Sequence, residues 1–125
     1  MNDQATKDAS AQFEESTVKH VYFLSEQDGP SERNFKNRLE SLFRSTAKVK
    51  SAYLVKVHYG DPRSTSVCLC IEPIGTQDKS IVEEVVAAFK SLFPATQHLD
   101  IIFPSSGQRA ELASVCRPFF RQHPQ

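Results

Sequence analysis

Two stretches of the chain alternate between apolar and other side chains with a period of two, and two others place apolar side chains every three or four residues. In "KSAYLVKVHY" (50–59), Tyr53, Val55, Val57 and Tyr59 fall on one side and Ala52, Leu54, Lys56 and His58 on the other, the pattern of a strand. "SVCLCIE" (66–72) alternates likewise, with Val67, Leu69 and Ile71 opposed to Ser66, Cys68, Cys70 and Glu72. The intervening "GDPRST" has turn composition, so the pair is predicted to form an antiparallel hairpin. Upstream, "VKHVYFLS" (18–25) is rich in β-branched and aromatic residues and stops at the turn signal "EQDGP". Downstream, "LDIIFPS" (99–105) reads as a fourth strand.

The helical periods lie between these strands. Pro30 and Ser31 open the first helix, with Ser31 expected as its N-cap. Phe35, Leu39, Leu42 and Phe43 make one apolar face that runs to about Thr46. The second helix spans about 78–93, with Ile81, Val85, Phe89, Leu92 and Phe93 as its stripe, widened by Val82 and Val86. Either Asp78 or a Ser80–Glu83 capping box starts it, and Pro94 ends it. Ser105 or Ser106 caps a third helix, about 107–117, carrying Leu112, Val115 and Cys116. Pro118 limits that helix, and a polar tail, "RQHPQ", follows.

The order β-α-β-β-α-β, then α, predicts an α+β domain of ferredoxin-like type. That means a four-stranded antiparallel sheet, two long helices on one face and an added C-terminal helix. The helices are expected over Tyr53, Val55, Val57, Val67, Leu69 and Ile71. The second face would then carry Tyr22, Leu24, Ala52, Leu54, Cys68, Cys70 and Ile102, interrupted by Lys56, His58 and Glu72. An open apolar patch beyond ~300–600 Å² is rare on a monomer, so this face is expected under the C-terminal helix or a second copy of the chain. Residues 18–125 form the predicted domain. Residues 1–17 hold one large apolar side chain, Phe13, and are predicted to be a disordered polar arm.

Charge narrows the function classes. Lys plus Arg equals Asp plus Glu at 15 each, which argues against binding to nucleic acid or an anionic membrane surface. RNA recognition by such a sheet needs stacking aromatics on strands one and three. Strand one offers Tyr22 and Phe23, but "SVCLCIE" offers none. The first residues lack an apolar signal segment, and no run of ~18 apolar residues occurs. Three cysteines in a 125-residue chain fit a reducing compartment, so a cytoplasmic location is expected.

Candidate chemistry gathers on one predicted face: Lys56, His58, Cys68 and Cys70. A Cys beside a His can make an activated thiolate, and these residues could also ligate a metal. Against this, Cys-x-Cys on a strand separates the residues by ~6.6 Å along the chain, poor for a disulfide and unlike a zinc knuckle. The favoured reading takes both cysteines as small apolar residues on a half-covered sheet. No metal site, cofactor or catalytic residue is assigned. Glycine-rich phosphate loops, G-x-S-x-G and H-E-x-x-H are missing from the sequence, and Glu83, Glu84 and Asp100 read as solvated or capping acids.

Taken in order, "NRLESLFRSTAKVKSAYLVKVHYG", "VCLCIE", "IVEEVVAAFKSLFP", "LDIIFPS" and the terminal "RPFFRQ" resemble the C-terminal domain of the enhanced serine sensitivity protein SseB family. The resemblance covers about residues 18–122. The residues that carry it include Ala52, Tyr53, Leu54, Val57, His58, Pro118 and Phe119, and they mark fold or surface. It implies an association with tolerance of excess serine and brings no catalytic motif. The expected function is a non-enzymatic binding or regulatory module with a protein partner or a homodimeric one. The alternative is a small enzyme or ligand-binding domain using the Lys56, His58, Cys68 and Cys70 face.

Overall fold

Strand β2 (Val49–His58) has hydrogen-bonded neighbours on both sides, and the rest of the fold is arranged around it. The computed structural model describes residues 20–122. The predicted arm, 1–17, and the start of the predicted first strand lie outside the described residues. In chain order the elements are β1 (Tyr22–Glu26), α1 (Pro30–Thr46), β2, β3 (Ser66–Pro73), α2 (Lys79–Leu92), β4 (Leu99–Ile102), α3 (Ser106–Val115) and β5 (Phe120–Arg121).

Local chemistry sets the helix ends. Pro30 occupies the first turn of α1, where its fixed φ suits a helix and its missing N–H costs nothing. Gly29 is the N-cap, so Ser31 does not cap as expected. Ala47 closes α1 in the left-handed region, φ 58°, and turns the chain directly into β2. Asp78 caps α2 by accepting from the Ser80 N–H at 2.8 Å, and Lys48 reaches the same carboxylate at 2.6 Å. Ser105 and Gln108 form a reciprocal capping box at the start of α3.

The sheet is mixed, which corrects the predicted antiparallel, ferredoxin-like arrangement. Its order is β1-β2-β3-β4. β1–β2 and β2–β3 are antiparallel, but β3–β4 is parallel, with α2 as the crossover. A split βαβ unit would place another strand between β1 and β2, whereas here they are direct neighbours. α1 therefore makes no crossover, and β2 runs back beside β1. The alternation pattern reports which side chains share a face; it carries no information on which strands are neighbours. β5, which spans the junction between the predicted third helix and the polar tail, is the second correction. β1 covers only the C-terminal half of β2, with Tyr22 opposite His58 and Glu26 opposite Val55. β5 takes the remaining edge, with Phe120 opposite Ala52 and Arg121 opposite Ser51.

Both long helices cover one face, as predicted. Phe35, Leu39 and Phe43 of α1 and Ile81, Val82, Val85 and Ala88 of α2 pack with Ala52, Leu54, Leu69, Ile71, Leu99, Ile101 and Phe120. The β2 residues on that face differ from those expected. Leu54 lies opposite Leu69 and Ala52 opposite Ile71, so Tyr53, Val55 and Val57 turn to the other side. The cause is hairpin register: Ser66 faces Val57, and a one-residue slip exchanges the faces of a whole strand.

The second face is covered by the C-terminal helix, one of the two outcomes expected. Leu112 of α3 and Cys116 join Val21, Tyr53, Val55, Val57, Cys68 and Cys70 in a second buried cluster. Leu39→Ala and Leu112→Ala, one from each cluster, are each expected to destabilise the domain by ~2–5 kcal/mol, as large-to-small core changes do. Urea melts check this, and a loss under ~0.5 kcal/mol at either position would contradict the corresponding packing.

Candidate functional site

The strand register divides the four residues that the sequence placed together. Lys56 lies opposite Val67 and shares the α1–α2 side of the sheet, with His58 two residues on. Cys68 lies opposite Val55 and Cys70 opposite Tyr53, on the α3 side. The structure therefore makes two pairs, Lys56 with His58 and Cys68 with Cys70, back to back through the sheet.

The sulfur pair is enclosed. Cys68 Sγ and Cys70 Sγ are 3.9 Å apart and both residues are fully buried. The hydrogen bond with Cys70 pushes the Cys68 thiol up, burial adds to it, and the Asp100 carboxylate contributes further. Cys116, whose Sγ donates to the Leu54 carbonyl at 3.5 Å, is pushed up to about 12, chiefly by burial. A nucleophilic cysteine needs the opposite, a thiolate stabilised by a cation or a helix N-terminus. Among the described residues, no three His, Cys, Asp or Glu side chains are placed to hold a metal ion.

The other pair is open. Lys56 is exposed and His58 is half-buried. His58 Nδ1 accepts from the Gly60 N–H at 3.0 Å. Its ring stacks on Tyr22, centroids 4.6 Å apart at 15°, and Tyr22 in turn meets His20 at 4.4 Å. Tyr22 stays 45% exposed and Leu24 39%. Leu24 lies where the β1–β2 register shifts between Phe23 and Ser25.

One constellation was not legible. Tyr59 Oη donates to Asp100 Oδ2 at 2.5 Å, and His98 Nε2 meets Asp100 Oδ1 at 2.6 Å. The Asp100 side chain is only 13% exposed, so it is neither a solvated acid nor a cap, while His98 is 62% exposed. His98 directly precedes β4 and Asp100 is its second residue, so the two are close in sequence. The missing information was the parallel pairing that sets Asp100 opposite Cys68. Burial pushes the Tyr59 phenol well above its ordinary range, with Cys68 and Asp100 adding to the effect. A His–Asp pair of this kind can orient an imidazole, and the Tyr59–Asp100 hydrogen bond ties the start of β4 to the end of β2.

A family model described as SseB protein C-terminal domain matches residues 16–122. No curated protein and no solved structure matches the chain.

Two outcomes are expected from this geometry. In the native protein, Cys68 and Cys70 should resist iodoacetamide at neutral pH and react only after denaturation; half-maximal reaction near pH 6 at either one would show an activated thiolate. For Tyr59, the raised phenol stabilises the fold fully below the unfolded value of ~10, and that stability is lost as pH rises toward the folded value. Tyr59→Phe should therefore flatten the fall in stability above pH ~10 seen in urea melts of the parent, and an unchanged profile would contradict the assignment.

Proposed function

The chain belongs to the SseB C-terminal-domain family, and from that premise we propose that it is a non-enzymatic binding or regulatory module. In this reading it acts through a protein partner and is associated with tolerance of excess serine. The observation that carries the reading is the exposure of two large apolar side chains, Tyr22 and Leu24, on a strand at the side of the sheet. Among the described residues β1 pairs only with β2. Such an edge presents backbone donors and acceptors to an incoming segment, and exposed aromatic side chains anchor protein interfaces.

The enzyme alternative rested on one reactive face holding Lys56, His58, Cys68 and Cys70, and these residues do not converge. Buried thiols pushed upward favour the binding reading further. A cytoplasmic location belongs to the same proposal, supported by three unpaired cysteines. The described residues contain no helix long and apolar enough to cross a membrane.

The test compares the immobilised protein with its Tyr22→Ser/Leu24→Ser double variant in capture from extract of the source cells, read by quantitative mass spectrometry. The expected result is at least one protein enriched about ten-fold by the parent and not by the variant, the change that ~1.4 kcal/mol of lost anchoring gives. Identical captures, or consumption of serine by the purified chain, would contradict the reading. Light scattering of the same two proteins reports whether the partner is a second copy: a parent dimer and a variant monomer would identify it.

A further inference from the structure

The helices do not cover the whole of their face. α1 and α2 pack over Ala52, Leu54, Leu69 and Ile71. Toward the far end of β2, beyond Val67, which packs against the helices' cluster, the same face carries exposed Lys56, half-buried His58 and exposed Tyr22. This is a shelf of sheet beside β1, with an apolar part and two nitrogen donors.

The donors are directed, and the Lys56 charge has no ion-pair partner among the described residues. His58 Nδ1 accepts a backbone N–H, so the proton of the neutral ring sits on Nε2, which is left to donate. Lys56 takes part in none of the ion pairs among the described residues. The acids of the neighbouring segments are engaged elsewhere: Glu26 with Lys36, Asp28 with Lys36 and Arg33, and Asp61 with Arg63. Lys56 and His58 are ~6.6 Å apart along the strand and point to the same side, the spacing of alternate side chains on an extended peptide.

Resting on the binding reading above, we infer that the partner presents an extended, acidic strand to β1. Its backbone adds to the outer edge of β1, its apolar side chains lie on Tyr22 and Leu24, and a carboxylate reaches Lys56 and the His58 Nε2–H. Strand addition draws affinity from main-chain hydrogen bonds and specificity from alternate side chains. Here the specificity is electrostatic, since a basic segment would bring like charge against Lys56.

The test uses two fluorescein-labelled eight-residue peptides, one alternating valine with glutamate and one alternating valine with lysine, with binding read by anisotropy at low salt. The parent is expected to bind the glutamate peptide about five-fold tighter or more, the scale of ~1 kcal/mol from a partly exposed charge pair. Lys56→Glu should reverse the preference, and the milder Lys56→Gln should abolish it. Equal binding of both peptides, or a preference that neither substitution moves, overturns the inference. If neither peptide binds while capture from extract still depends on Tyr22 and Leu24, the acidic strand is wrong and the protein-binding reading stands. If that capture is also independent of them, both fail.

Discussion

The rest of the structure depends on β2 being apolar on both faces. Ala52 and Leu54 on one side, and Tyr53, Val55 and Val57 on the other, are all buried. A ten-residue strand of this kind cannot sit on the surface of a two-layer domain, and each face needs its own cover. α1 and α2 supply one and α3 contributes to the other, so the sheet is enclosed in two separate clusters. The strand's edges are equally used. β3 runs along one, while β1 and β5 share the other.

That division of labour explains where the open surface is. The two helices bury their face of β2 from Val49 to Leu54 and leave its far end open. The residues beyond them, Lys56 and His58, are polar where their predecessors Ala52 and Leu54 are not. β1 flanks this end, half the length of β2, with its register irregular around Leu24. The ring group of His20, Tyr22 and His58, with Tyr22 stacked on His58, follows from the same geometry. On the opposite face the cysteines meet the reverse condition. Burial in the cluster that Leu112 and Cys116 join, and contact with each other, make them space-filling side chains.

Much of this was legible in the sequence, and the reasons differ between parts. Helix α1 was readable to its last residue because Pro30 marks its start and Phe35, Leu39 and Phe43 keep a single face. The β2–β3 hairpin was readable because two runs rich in β-branched and other apolar residues flank a short segment of turn composition, "GDPRST". Strand order was not, since a helix between two strands serves a parallel crossover or an antiparallel return with the same apolar stripe. Nor was the register across "GDPRST", because turn composition does not count residues. That single offset moved Cys68 and Cys70 away from His58 and dissolved the expected site. β5 was hidden by its brevity: two residues, Phe120 and Arg121, carry no period. The Tyr59–Asp100–His98 chain needed long-range pairing that no local pattern holds.

In the proposed reading, contact with a partner falls on the β1 side of the sheet, at the end the helices leave uncovered. Hydrogen–deuterium exchange, followed by mass spectrometry on the free protein and on the captured complex, addresses it most directly. The expected result is added protection on complex formation confined to peptides spanning residues 20–26, with those covering 56–58 and 66–73 unchanged because those strands are already paired on both sides. Protection centred on α2 or on the His98–Asp100 segment, with residues 20–26 unaffected, would contradict it.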